Sequence, residues 1–177
     1  MDLGLISVRY ARALLKAGIE TGLSDKVYAD MQALAASYAA EPRLKATIDN
    51  PMVSKRQKEA LLNAAASEKP TELTQRFFKL VVKEGREDIM QFIANSFITL
   101  YRKHNNLVSA KLTTAAPLDA TTESKLRQLV EKKTNGTVEF KTAINSNLIG
   151  GFVLEYDTYR MDASVKTQLG AILSKLS

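Results

Sequence analysis

From Leu5 to about Asn106 the apolar residues recur at the three-and-four spacing of helix faces. The pattern breaks at Gly22, Glu41-Pro42, Asn50-Pro51, Lys69-Pro70 and Gly85, residue types that stop helices or open turns, so this stretch reads as six helices. Capping residues agree with those cuts. Ser24 stands before the helix carrying Val27, Met31, Leu34 and Tyr38, Ser54 before the one carrying Leu61 and Leu62, and Thr71 opens the next. Gly85 suits the left-handed position that closes a helix. After His104-Asn105-Asn106 the period changes. LVSAKLTTA (107–115) reads as a strand, and beyond Pro117 a helix over Asp119–Lys133 carries Leu126, Leu129 and Val130 on one face. Then come TVEFKTA (137–143), the run IGGFVLEY (149–156), a turn at Asp157-Thr158, the segment YRMDASV, and a helix to the end with Val165, Leu169, Ile172 and Leu173. The expected class is α+β. A six-helix bundle over 1–106 precedes, over 107–177, a small α/β domain with a mixed sheet of about four strands and two helices, ordered strand, helix, three strands, helix.

Helix faces carry further information. At 100° per residue, Arg9, Arg12, Lys16 and Glu20 of the first helix share a stripe roughly 80° wide, and most of the remaining circumference is apolar. In the fifth helix Glu72, Arg76, Lys79 and Lys83 share one stripe, while Leu73, Phe77, Phe78, Leu80, Val81 and Val82 cover roughly 200°. The second helix, with large apolar residues over about 120°, is an ordinary one-sided helix. A helix apolar through most of its girth is either central in its own bundle or covered by another protein. The sixth, with Ile89, Phe92, Ile93, Phe97, Leu100 and Tyr101, is comparably apolar, so pattern alone leaves open which helix is central. If the first and fifth were neighbours, they would form a groove for a partner's amphipathic helix.

Composition narrows the functions. The 177 residues, 45% apolar and 25% charged, belong to a folded globular chain. The absence of cysteine excludes disulfides, zinc–thiolate sites, iron–sulfur clusters and thiol catalysis, and the single histidine, His104, cannot build a histidine-rich metal site. It reads instead as a charge at a helix C-terminus. No apolar run is long enough for a membrane span. Arg9, Arg12 and Lys16 among apolar residues have the look of an organellar targeting helix, but without a small-residue cleavage site or a serine-rich stretch the segment reads as the first helix of the mature fold. A net charge of +6 raises the alternative of a basic RNA-binding adaptor. The excess is scattered, with 16 basic against 12 acidic residues before position 106 and 9 against 7 after it. Phe77, Phe92 and Phe97 occupy apolar helical positions expected in a core, unlike base-stacking aromatics.

Catalytic chemistry is missing from the pattern. No GxxxxGK[ST], HExxH or GxSxG occurs, and Gly150-Gly151 precedes a strand, where close backbone approach or a bulge explains it. Asp162, at an apolar strand end, reads as an N-cap of the last helix. No catalytic, cofactor-binding or metal-binding residue is expected, and no cofactor.

Three segments carry a resemblance. SVRYARALLKAGIETG (7–22), FFKLVVKEGR (77–86) and above all LIGGFVLEYDTYRMDASVKTQL (148–169), with its D-x-S-[VL]-[KR]-x-x-L helix start, resemble the delta-subunit family of ATP synthases, called oligomycin sensitivity-conferring protein in mitochondria. The likeness spans the chain; one departure is Glu155–Tyr159, where the family more often has a Gly-Asp hairpin. The start at Met1 without a presequence looks bacterial. The resemblance implies a stator, non-catalytic itself, that joins the catalytic head to the peripheral stalk and resists torque during proton-driven ATP synthesis. It implies a monomer within a hetero-oligomeric complex, peripheral on the cytoplasmic face of the plasma membrane, with no membrane insertion and no nucleic acid. The N-terminal helix of one alpha subunit would dock between the first and fifth helices, on Tyr10, Ala13, Leu14, Ala17, Phe77, Phe78, Val81 and Val82. The stalk b subunit would meet the C-terminal domain at Met161, Asp162, Ser164, Val165 and Leu169, residues that also suit packing of the last helix on the sheet.

Overall fold

The computed structural model describes residues 3–117, 120–134, 136–156 and 159–169. The chain divides into two compact units, one ending at His104 and the other beginning at Asn105.

The first unit contains α1 (Leu3–Glu20), α2 (Ser24–Ala40), α3 (Pro42–Asp49), α4 (Lys55–Ala66), α5 (Glu72–Lys83), a 3-10 turn (Glu87–Ile89) and α6 (Met90–His104). Local chemistry sets most of these ends. Both Gly22 and Gly85 adopt positive φ, and in each case the following amide reaches back to the carbonyl five residues earlier, Leu23 to Gly18 and Arg86 to Val81. These are Schellman closures, which favour glycine because a Cβ is strained there. Ser54 and Gln57 form a reciprocal capping box on α4, and Thr71 accepts from the Thr74 amide on α5. Ser24 departs from expectation. Helix α2 already includes it, the cap position is Leu23 without a side-chain bond, and the Ser24 hydroxyl turns to Asp25.

The central helix is α6. It packs chiefly on α1 and α2, and Met90, Ile93, Ala94 and Phe97 are fully buried. Phe92, expected in the core, is instead 51% exposed. It lies one position from Ile93, and the buried row on α6 (90, 93, 94, 97, 101) leaves position 92 on the outer side. Polar ties hold the remaining helices. Asp30, buried on α2, accepts from Ser67 Oγ at 3.0 Å, the Thr71 amide at 3.0 Å and Thr74 Oγ1 at 2.7 Å, fixing the start of α5. Lys58 on α4 forms a 2.8 Å ion pair with Glu87, both side chains largely hidden from solvent. Burial opposes the ionisation of Glu87, but its hydrogen bonds with Lys58 and the backbone, together with the charges of Lys58 and Lys55, hold its carboxyl below the usual value.

The second unit contains β1 (Leu107–Thr114), α7 (Ala120–Thr134), β2 (Thr137–Ile144), a 3-10 turn (Ser146–Leu148), β3 (Phe152–Tyr156) and β4 (Tyr159–Asp162), then helical residues 165–169. The sheet order is β2-β1-β3-β4, with β1 parallel to β2 and the other pairs antiparallel, the arrangement a β-α-β crossover followed by a hairpin produces. Ala110, Leu112, Leu126, Val130, Val138 and Leu154 form the core between α7 and the sheet. The strand expected from 149 begins only at Phe152. Ile149 closes the 3-10 turn at φ 67, and Gly151 has φ 74. A Cβ on Gly151 would lie 2.2 Å from the Ala163 carbonyl oxygen, and one on Gly150 2.9 Å from Val165 Cγ2, so the glycine pair exists to let the chain at 163–165 press against it. The hairpin expected at 157–158 falls at residues outside those described, but Tyr156 and Tyr159 pair across it with stacked rings. Leu129 and the terminal Ile172 and Leu173 also lie outside the residues whose side chains are described.

Candidate functional site

Helices α1 and α5 do stand side by side, and an open groove of about 850 Å³ runs between them. From α1 its wall takes positions 5, 6, 9, 10, 13, 14 and 17, one continuous helical face. From α5 it takes Leu73, Arg76, Phe77 and Leu80, at i, i+3, i+4 and i+7, and Arg86 follows beyond the Gly85 closure. Tyr10 and Phe77 meet edge to face across the floor, centroids 6.4 Å apart. Large apolar side chains remain uncovered along it: Leu5 is 61% exposed and Leu80 47%. Ala13 is exposed and Ala17 half-buried, so the α1 wall offers small side chains where another backbone can approach closely.

Of the eight residues expected to grip a partner helix, five line this groove: Tyr10, Ala13, Leu14, Ala17 and Phe77. The other three do not. Phe78 and Val81 are fully buried and Val82 nearly so, on the side of α5 that faces the unit's own core. The wide apolar arc of α5 is therefore two faces side by side. One, with Thr74, Phe78, Val81 and Val82, belongs to the core, and the other, centred on Leu73, Phe77 and Leu80, opens into the groove. Leu73, Leu80, Leu5, Ile6 and the arginines were missed, although the 73-76-77-80 register is legible in the sequence.

In the second unit the five expected stalk residues separate in the same way. Met161 is 38% exposed and Leu169 47%. Ser164 is buried and caps the helical residues through its bond from the Thr167 amide, while Val165 seats against Gly150. Asp162 is the last residue of β4, not the helix cap. Its carboxylate accepts from the Ser164 hydroxyl at 2.6 Å and amide at 3.0 Å, bonds that hold its pKa below the usual value. His104 ends α6, exposed, after Arg102 and Lys103 in its last turn. Among the described residues no group of three or more His, Asp or Glu side chains is placed to hold a metal.

The fold is α+β, with an open apolar cleft in its helical unit. The comparisons give it a family. The profile described as "ATP synthase delta (OSCP) subunit" matches residues 6–176. Similar proteins include "ATP synthase subunit delta" of Phocaeicola vulgatus, 44% identical over 96% of this chain and 92% of that one, and its namesake in Parabacteroides distasonis, 40% identical over 99% and 98%. A chain of the Toxoplasma gondii mitochondrial ATP synthase hexamer shares the fold at a TM-score of 0.65, 22% identity and 96% coverage of each chain. The chain belongs to the ATP synthase delta (OSCP) subunit family. It is a structural stator subunit of that machine, not a catalytic one, and a peripheral subunit of the membrane-bound complex. Among the described residues no helix is long and apolar enough to cross a membrane. None of these matches points to RNA.

Proposed function

We propose that this chain holds the catalytic head of ATP synthase against rotation by gripping the amino-terminal helix of one alpha subunit in the α1/α5 groove. Its first unit serves as a six-helix bundle dedicated to the head, and its second unit meets the b subunit of the peripheral stalk. The groove carries this reading. It leaves leucines at 5 and 80 roughly half in water beside Ala13 and Ala17, and covering the exposed half of each is worth about 1 kcal/mol. A stator needs adhesion and no chemistry, and two moderate contacts on one adaptor reinforce each other through effective concentration. For the stalk, the exposed Met161 and Leu169 are the contact residues, while Asp162, Ser164 and Val165 build the turn that presents them. The subunit's place is on the cytoplasmic face of a bacterial plasma membrane.

The test is calorimetric titration of the full chain with a peptide from the alpha-subunit amino terminus. Leu80→Asn removes apolar surface and Ala13→Phe fills the groove, both at exposed positions, so circular dichroism stays unchanged while binding weakens at least about tenfold, or about 1.4 kcal/mol. Unaltered affinity in both folded variants rules out the groove as the docking site.

A further inference from the structure

We propose that the groove selects its occupant by charge as well as shape, taking an amphipathic helix whose apolar seam is flanked by glutamates or aspartates. This rests on reading the groove as a docking site. Every charged side chain in its lining is an arginine: Arg9 from α1, Arg76 from α5 and Arg86 from the turn after α5, and neither Asp nor Glu lines it. Arg76 is already engaged by Glu72 through an exposed pair one helical turn apart. Arg9 and Arg86 form no ion pair among the described residues. The Schellman closure at Gly85 is what returns Arg86 to the groove, where it is half-buried.

The walls favour a helical guest. Both are helices, whose backbone groups are bonded internally, so an inserted extended chain would find no backbone partners and would bury its own amides unsatisfied. A helical guest satisfies its own. The lined face of α1 from position 5 to 17 is about 18 Å long at 1.5 Å per residue, enough for about three turns of guest. When the guest seats, it excludes water from an apolar floor, and the guanidiniums at the rim lose part of their hydration. A carboxylate replaces that hydration with a forked, charge-assisted hydrogen-bond pair, whereas a lysine adds like-charge repulsion at reduced dielectric. Complementary rim charge also accelerates encounter, and salt weakens both effects.

Two synthetic peptides test this. They share one leucine seam at i, i+3, i+4 and i+7 and differ only in glutamate or lysine at the flanking positions, and each is titrated into the full chain at about 20 and about 300 mM salt. The glutamate peptide is expected to bind at least about tenfold tighter at low salt. The gap narrows at high salt, and the double variant Arg9→Glu, Arg86→Glu reverses the preference with an unchanged circular dichroism spectrum. Equal affinity for both peptides, lost for both in Leu80→Asn, overturns charge selection and leaves the docking groove standing. Binding by neither peptide, or binding untouched by Leu80→Asn, overturns the docking reading and charge selection with it.

Discussion

The two units expose apolar surface in different ways. The helical unit gathers part of it, Leu5 and Leu80 beside Ala13, into a concave groove between α1 and α5 floored by Tyr10 and Phe77, and leaves Ile19, Met52 and Phe92 exposed away from it. The sheet unit scatters it over Ile144 on β2, Ile149 after the 3-10 turn, Tyr159 and Met161 on β4, and Leu169 at the last described helical position. A groove pre-arranges many contacts for one rigid guest, while separated side chains suit a surface completed only when a partner brings complementary shape. Within α5 the same contrast recurs on a single helix, one face committed to the core and the next left open.

Substitutions can break or sharpen that contrast. The largest effect belongs to the core face of α5: Phe78→Ala is expected to cost about 3 to 5 kcal/mol in denaturant unfolding, since the ring is fully buried. An effect of the kind seen at an exposed site would mean that α5 has no committed face. Next, Lys58→Met leaves the largely hidden Glu87 carboxylate without its ion-pair partner, at a cost of about 3 kcal/mol at neutral pH. Because the Glu87 pKa is lowered in the folded chain, the pair's contribution is present above the unfolded carboxylate value and is lost as pH falls through the folded one. Wild type and Lys58→Met therefore converge in stability under acid, and a gap constant with pH would refute the assignment. Gly151→Ala comes third. A methyl group 2.2 Å from the Ala163 oxygen, at positive φ, is expected to cost about 2 to 3 kcal/mol, seen as lost amide protection around β3 and β4 with the helical unit unchanged. Smallest in stability is Leu80→Asn, within about 0.5 kcal/mol of wild type, although it carries the largest expected loss of helix binding among these four.

Much of the helical unit was readable before any coordinates. Gly22, Pro42, Ser54, Thr71 and Gly85 act through backbone chemistry that is local, and the helix ends they predict are the ends observed. The over-wide apolar arcs of the first and fifth helices are compatible with the groove, but the comparable arc of the sixth leaves open from sequence which helix is central. What periodicity could not supply was the neighbour of each face: an arc of roughly 200° on α5 does not say which half α4 and α2 will cover. Phe78, Val81 and Val82 were misplaced for that reason, and Phe92 for its converse, an apolar residue at helical spacing that tertiary packing left outside. At the second unit, Asp162 and Ser164 are both good capping residues two positions apart. The choice between them depends on where β4 ends, which pairing with β3 decides.

The three hydrogen bonds that converge on Asp30 have a mechanical consequence. They join α2 to the segment at 67–74 that begins the outer wall of the groove, and they do so in parallel. A pull applied to α5 is shared among them, and all three must part before the anchorage is lost. Bonds arranged in series would fail one after another at a lower load.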